Sequence, residues 1–304
     1  MSPATIARRS TTFPTATALA FATVLVTLSV TTSSHATPLP TYPTTSAGPS
    51  TTAWFPDRYP PSGFQNVGTL FGRNDVLALT IDDADSAALR PAGLSGTFYN
   101  TQGRKIDIDS TVPVTWIGSL YIPSAWGTPN PADALLTRQS DMWATLSDAA
   151  NAPVAYPIIG FTNRDPVTFN GGTPRFRVWD PTIGWVDLAQ PVTFDAWTNF
   201  SVTFTGTELQ YRIGTTLVYT DPNPALATVT QLSDVMLQGY NFGHDFVANW
   251  SYVGYGQRTS AQLFAEFAPA AAHVAPTSVP VGPLAPVLSM LAIGLAALRL
   301  NRRR

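Results

Sequence analysis

The sequence predicts an all-β protein in which two antiparallel sheets stack into a sandwich. Between residues 62 and 257, apolar and polar side chains alternate with a period of two, as in strands that bury one face. Gly, Pro, Asn and Asp separate these short segments, as expected for turns. Many short strands without long helical patterns favour a β-sandwich over a mixed fold.

Residues 1–36 have the pattern of a secretory signal peptide. Arg8 and Arg9 supply the positive end, and an apolar stretch follows from Ala16 to Val30. Small residues end this segment, so we expect cleavage after Ala36. An uncleaved anchor is the alternative, but the apolar stretch is short and interrupted by threonines. The pattern therefore predicts export.

Two segments of biased composition flank the body at 62–257. Residues 37–61 are rich in Pro, Thr and Ser and are predicted to be an extended linker. Residues 258–278 are rich in Ala and Pro and are predicted to be a stalk. Composition therefore predicts one folded domain between two linkers.

Charge and cysteine content exclude several functions. When the predicted signal peptide and the C-terminal stretch at 279–304 are left out, 11 basic residues remain against 19 acidic ones, which gives a net charge of −8. A body this acidic has no surface for phosphates, so nucleic acid is excluded as a partner, as is an anionic membrane face. The chain has no cysteine, which excludes disulfides, thiol nucleophiles and thiolate metal sites.

The segment WTNFSVTFTGTELQYRIGTTLVYT, residues 197–220, predicts a three-stranded meander. Short turns at Gly206 and Gly214 separate its strands. Residues on one face of each strand follow the strand period: Thr198, Phe200, Val202 and Phe204, then Leu209, Tyr211 and Ile213, then Leu217 and Tyr219.

This meander and the following LQGYNFGHDFVANWSYVGYG resemble the second half of a concanavalin A-like jelly roll of the laminin-G-like kind. The matching features are a tryptophan that opens a strand, Trp197, and an aromatic residue in a late strand, Trp250. FYNTQGRKIDIDS, GSLYIPSAW and TPRFRVWD resemble segments of secreted bacterial proteins with this sandwich. The resemblance covers residues 64–256 and implies the fold alone, since this sandwich hosts enzymes, lectins and spacers.

The C-terminal stretch VPVGPLAPVLSMLAIGLAALRLNRRR, residues 279–304, resembles a PEP-CTERM sorting tag. It has a short motif with Pro280 and Pro283, an apolar span and an arginine cluster. The resemblance implies a transmembrane helix, an exosortase-like processing enzyme and a place on the outer surface of a Gram-negative-type envelope. Val281-Gly282 stands where the class has a glutamate, so an uncut anchor stays open.

No residue set in the body specifies catalysis. Glucanases with this fold use two nearby glutamates, whereas Glu208 and Glu266 lie far apart in this sequence. The body has one histidine, His244, which is predicted to lie in a loop. The remaining acids for an atypical hydrolase or lyase are Asp83, Asp85, Asp107 and Asp109. No cofactor is required, although the oxygens of Asp82, Asp83 and Asp85 suit Ca²⁺.

Aromatic residues give the strongest indication of a ligand. In FRVWDPTIGWVDL, Arg177 and Trp179 share the strand face opposite Phe176 and Val178, and Trp185 follows a turn. Indole rings beside Arg and Asn suit sugar rings. The candidate ligand-binding residues are Arg177, Trp179, Trp185, Tyr240, Asn241 and Trp250.

The sequence thus predicts a non-catalytic surface protein that binds extracellular polysaccharide. Two alternatives stay open. One is a structural envelope or biofilm-matrix spacer without a ligand, and the other is the atypical aspartate-dependent hydrolase or lyase.

Overall fold

The computed structural model describes residues 37–38, 54–85, 101–127, 137–165 and 171–267. Strands are numbered along the chain. Sheet A contains β1 (Thr37–Pro38), β3 (Gly63–Asn66), β4 (Leu77–Ile81), β6 (Val114–Ile122), β12 (Ala196–Phe204), β13 (Leu209–Ile213), β14 (Thr216–Asp221) and β16 (Phe246–Gly256). Sheet B contains β2 (Phe55–Pro56), β5 (Thr101–Thr111), β7 (Gln139–Ser147), β8 (Pro153–Ala155), β9 (Ile158–Arg164), β10 (Gly171–Asp180), β11 (Gly184–Asp187) and β15 (Gln231–Tyr240).

Both sheets are antiparallel, which confirms the predicted all-β sandwich. Sheet A runs in the order β14-β13-β12-β6-β16-β4-β3, with β1 on β16. Sheet B runs in the order β11-β10-β9-β7-β15-β5-β2, with β8 on β7. The chain crosses between the sheets from β14 to β15 and again from β15 to β16, and places these two strands inside opposite sheets. Such crossings are typical of a jelly roll.

Aromatic rings fill the space between the sheets. The ring of Phe176 from sheet B meets that of Phe200 from sheet A edge to face, with centroids 5.5 Å apart. The ring of Phe200 in turn lies 6.2 Å from that of Trp250. The first of these contacts joins the two sheets, and the second lies within the sheet A side of the core.

The meander is confirmed at the predicted positions. Side chains at the predicted inward positions of β12 are all buried, and the loop glycines Gly206 and Gly214 have positive φ values of 106° and 59°. These φ values favour glycine because it has no Cβ to clash with the backbone.

Both predicted flanking segments differ from the prediction where the structure describes them. Within 37–61, β1 pairs with β16, β2 pairs with β5, and the side chain of Trp54 is only 1% exposed. Within 258–278, helix α1 (Ser260–Phe267) packs on sheet A and buries Leu263 completely. Composition misled here because a few apolar side chains bury enough surface to order a proline-rich or alanine-rich segment.

The predicted signal peptide at 1–36, the sorting tag at 279–304 and the processing residues Ala36, Pro280 and Pro283 lie outside the described residues. Of the helices that the structure does describe, none has the length and apolar character needed to cross a membrane.

Candidate functional site

The candidate site is the face of sheet B that points away from sheet A, here called the outer face of sheet B. In β10, Phe176 and Val178 are buried in the core between the sheets, as predicted. Arg177 and Trp179 therefore lie on the outer face, because neighbouring strand residues point to opposite sides. Trp185 joins them there because β11 pairs Trp185 with Trp179.

Trp179 and Trp185 form a tryptophan pair at the edge of this face. Their ring centroids are 5.3 Å apart and their planes are inclined by 71°, an edge-to-face contact. Both side chains are half-buried, so part of each indole ring is accessible to a ligand. Of the predicted residues, these two have the exposure that ring stacking requires.

Arg177 lies beneath the tryptophan pair and supports it. Its guanidinium carbon is 3.5 Å from the ring centroid of Trp185, a close cation–π contact. The side chain is on the predicted face but only 5% of the residue is exposed. Arg177 therefore positions a ring and is not the open ligand contact that the sequence predicted.

A buried carboxylate holds Arg177 in place. Nη2 of Arg177 lies 3.5 Å from Oδ2 of Asp141, and the amide of Gln139 donates a 2.8 Å hydrogen bond to the same oxygen. Gly160 stands between the two charged residues in the strand register. A Cβ at Gly160 would overlap the carboxylate of Asp141 and the backbone carbonyl of Ser140. Glycine at this position thus leaves the space in which the ion pair forms.

Burial shifts the pKa of both partners. Burial raises the pKa of Asp141, while Arg177 and the hydrogen bond from Gln139 oppose the rise. Burial lowers the pKa of Arg177 to about 10, and the charge of Asp141 opposes this fall. Arg177 therefore stays charged at neutral pH, which its contact with the indole ring requires.

Four polar atoms around this ion pair are buried without a hydrogen-bond partner among the described residues. They are two acceptors, Oδ1 of Asp141 and Oε1 of Gln139, and two donors, Nε of Arg177 and Nε2 of Gln238. An unsatisfied buried polar atom costs about 1–3 kcal/mol, so each is a position where a buried water would be stabilising.

The outer face also contains apolar residues that were not among the predicted ligand-binding residues. Trp143, Ile158 and Met236 form a cluster, and the tryptophan pair packs against it. Trp143 and Asp141 share a face because Met142 is buried in the core between the sheets. The period-two alternation in DMWATLS is the signal that would have found both residues.

Three predicted ligand-binding residues do not join the tryptophan pair. Trp250 is completely buried between the sheets, where its Nε1 donates a 3.0 Å hydrogen bond to Ser140. Tyr240 is buried and stacks on Phe242, with ring centroids 3.6 Å apart. Assigning Trp250 and Tyr240 to an exposed surface was wrong, because alternation gives the face of a strand but not whether that face is covered.

Asn241 holds a loop together. Its amide nitrogen donates to the carbonyl of Asp82 and to the side-chain oxygen of Gln102, both at 2.8 Å. Its side-chain oxygen accepts from the backbone N–H of Gly243 at 2.9 Å. With these bonds formed and the residue 1% exposed, Asn241 is not open to a ligand. Its assignment to the sugar-binding surface was therefore wrong.

The predicted calcium residues are only partly brought together. Carboxylate oxygens of Asp82, Asp83 and Asp245 lie within 4.8 Å of one another. Asp85 instead accepts a hydrogen bond from the hydroxyl of Ser62. Asp245 replaces Asp85 because β16 begins beside the end of β4, a proximity that local spacing does not reveal. Calcium binding stays a prediction, with Asp245 as the third carboxylate.

Asp107 and Asp109 lie on one exposed face of β5, as predicted, with Ile108 buried between them. They line a cavity of about 560 Å³ together with Asp234, which is paired with Asp107 in the strand register. Burial raises the pKa of Asp234, and Lys105, at 3.7 Å, opposes the rise. Asp234 was not among the predicted residues because it belongs to a strand that is distant in sequence.

Comparison with protein-family models and with curated proteins gives no match for this chain. A carbohydrate-binding module, CBM66 from Bacillus subtilis, is 10% identical and has a TM-score of 0.37, with 67% of this chain and 94% of that chain covered. A β-glucanase from Bacillus licheniformis is 11% identical with a TM-score of 0.37, and the coverage is 74% and 99%.

A sialidase structure is 8% identical with a TM-score of 0.36. The match covers 67% of this chain but only 17% of the sialidase chain, so this chain is similar to a part of that protein. At these identities and scores the similarities assign neither a family nor a ligand.

Proposed function

We propose that the tryptophan pair at the edge of the outer face of sheet B binds a saccharide and that the chain is a non-catalytic binding protein for extracellular polysaccharide. The observation that carries this proposal is the half-exposed tryptophan pair, supported from below by the buried ion pair of Arg177 and Asp141. Indole rings offer flat apolar surfaces to the C–H faces of sugars.

The contact of Arg177 with the rings favours binding because it reduces the conformational entropy that the tryptophan side chains lose when a ligand binds. Arg177 is in contact with Trp185, and Trp185 is in contact with Trp179, so the rings keep one orientation before a ligand arrives. A side chain that is already ordered loses little conformational entropy on binding. The indoles are therefore a preorganised platform.

The experiment compares polysaccharide binding by the full chain and three variants, using a glycan array followed by calorimetry. Trp179→Ala and Trp185→Ala are each expected to weaken binding about tenfold, the equivalent of ~1.4 kcal/mol. Trp197→Ala is the matched control, because Trp197 is a half-buried tryptophan of β12 in sheet A. It is expected to bind as the wild type does.

Two outcomes would favour the alternatives. Absence of binding to every polysaccharide tested would favour the structural spacer. Release of reducing sugar by the full chain, lost in Asp107→Asn or Asp234→Asn, would favour the aspartate-dependent enzyme.

The proposed location is the outer surface of a cell envelope, with the C-terminal segment in the membrane and an exosortase-like enzyme as its processing partner. The support for this is in the sequence of the two ends, 1–36 and 279–304. Cell fractionation, with mass spectrometry of the C-terminal peptide, tests it. Recovery of the intact chain from the cytoplasm would contradict the proposal.

A further inference from the structure

We propose a second binding site, for the oxyanion of an acidic sugar, in a cavity on sheet A. The cavity has a volume of about 550 Å³ and lies between the first turn of α1 and the outer face of β6, β12 and β13. We call it the α1 cavity. Its polar lining includes Thr115, Thr203, Gln210, Arg212, Arg258 and Gln262.

The floor of the α1 cavity follows from the strand register. Thr203 of β12 is paired with Thr115 of β6 on one side and with Gln210 of β13 on the other. Phe204, next to Thr203, is buried in the core, so these three polar side chains point away from sheet B. The two threonine hydroxyls are 2.9 Å apart. The floor is thus a continuous row of hydroxyl and amide groups.

Arg212 gives the α1 cavity a positive charge that has no direct ion pair. Its guanidinium donates to the carbonyl of Thr215 at 3.4 Å and to the side-chain oxygen of Gln210 at 3.1 Å. Both acceptors are neutral, and no carboxylate of the described residues forms an ion pair with Arg212, although Gln210 in turn donates a 2.7 Å hydrogen bond to Glu208. Because it has no direct ion pair, the guanidinium attracts an anion to this cavity.

Two further groups strengthen the positive potential. Arg258 also lines the cavity, although it pairs with Glu266 at 2.6 Å. The first turn of α1 forms the opposite wall, and a helix N-terminus carries a partial positive charge. Thr259 and Gln262 cap this turn through their side chains.

The lining chemistry indicates a ligand that combines an oxyanion with hydroxyls. Arginine forms paired hydrogen bonds with carboxylates and with tetrahedral oxyanions. The threonine and glutamine side chains match the hydroxyls of the same ligand. A volume of about 550 Å³ exceeds what a bare ion needs and lies in the range of small-molecule pockets. An acidic sugar such as a uronate meets all of these conditions.

The test is calorimetric titration of the full chain with sodium glucuronate, sodium sulfate and glucose. Glucuronate is expected to bind more tightly than sulfate, and glucose is expected not to bind. Arg212→Gln is expected to weaken glucuronate binding at least about tenfold, whereas Lys105→Gln, which removes a positive charge from β5, leaves it unchanged. Sulfate binding as tightly as glucuronate would overturn the acidic-sugar assignment, as would unchanged binding by Arg212→Gln.

A second variant separates binding from folding. Ala261 lines the cavity in the first turn of α1 and is exposed. Ala261→Asp places a carboxylate where it favours the helix and repels the ligand. It is expected to lose glucuronate binding without a lower melting temperature, and wild-type binding would overturn the proposal. Trp179→Ala is expected to retain glucuronate binding, so failure of the proposed function and failure of this site are distinguishable.

Discussion

Replacement of Arg177 by methionine tests the buried ion pair directly. Methionine has similar length but no charge, so the Asp141 carboxylate, in a residue that is 1% exposed, loses its cation. Breaking a buried ion pair on one side costs about 3–5 kcal/mol, because a charge is left desolvated. We expect a loss of this size in the free energy of unfolding at neutral pH, measured by urea denaturation of the full chain.

The double variant Arg177→Met/Asp141→Leu is the matched control. Replacing both partners by apolar residues of similar volume removes the desolvated charge, so most of the lost stability is expected to return. The two single variants and the double variant form a cycle that isolates the interaction of the pair.

The pH dependence of the free energy of unfolding distinguishes the loss of a charge pair from a loss of packing alone. The pKa of Asp141 is already raised by burial, and loss of Arg177 removes a contact that opposes the rise. The folded variant therefore holds a proton on Asp141 more tightly than the unfolded chain. Its stability falls as pH rises through the folded pKa, so its deficit against the wild type should shrink in acid. A loss below about 1 kcal/mol, or a deficit that grows in acid, would refute the account.

Three further predictions follow from the core and from the sheet edges. Gly160→Ala is expected to cost about 1–3 kcal/mol in urea denaturation, because the added Cβ overlaps the Asp141 carboxylate, and an unchanged midpoint would contradict this packing. Trp250→Ala is expected to cost about 3–5 kcal/mol by the same assay, while polysaccharide binding by the folded fraction stays unchanged. Asp221→Asn is expected to stabilise the chain at neutral pH, because burial raises the pKa of Asp221 by more than the hydrogen bond from the backbone N–H of Asn223 lowers it, and the charge of Asp180 adds to the rise. Wild-type stability should therefore fall as pH rises from the ordinary aspartate pKa through the folded value, and melting temperatures measured across this range should show a smaller fall in the variant.

Strand periodicity predicted the parts of the fold that depend on local sequence. The meander of β12, β13 and β14 has short turns and one apolar face, so neighbouring residues determine its structure. The same periodicity placed Arg177 and Trp179 correctly on one side of β10.

Periodicity did not predict which faces are covered. Trp250 lies in β16, which has strands on both sides and sheet B behind it, so its environment depends on distant residues. Asp141 reaches Arg177 only across Gly160, and Asp245 reaches Asp82 only because β16 pairs with β4. These contacts depend on which strands pair and in which register, and the alternation pattern of a single strand does not specify either.

The pairing of β1 with β16 brings two distant segments of the chain to one place. Thr37 lies opposite Tyr255, and α1 begins only a few residues beyond Tyr255. A pull on the chain beyond Phe267 would therefore reach the sandwich through α1 and then β16. The end of β16 nearest to α1 pairs with β6 on one side and with β1 at Gly254 and Tyr255 on the other, whereas the pairing with β4 is confined to Phe246–Trp250. We therefore expect such a force to load the β6 ladder and the two β1 pairs first, and the β4 ladder only after these have separated.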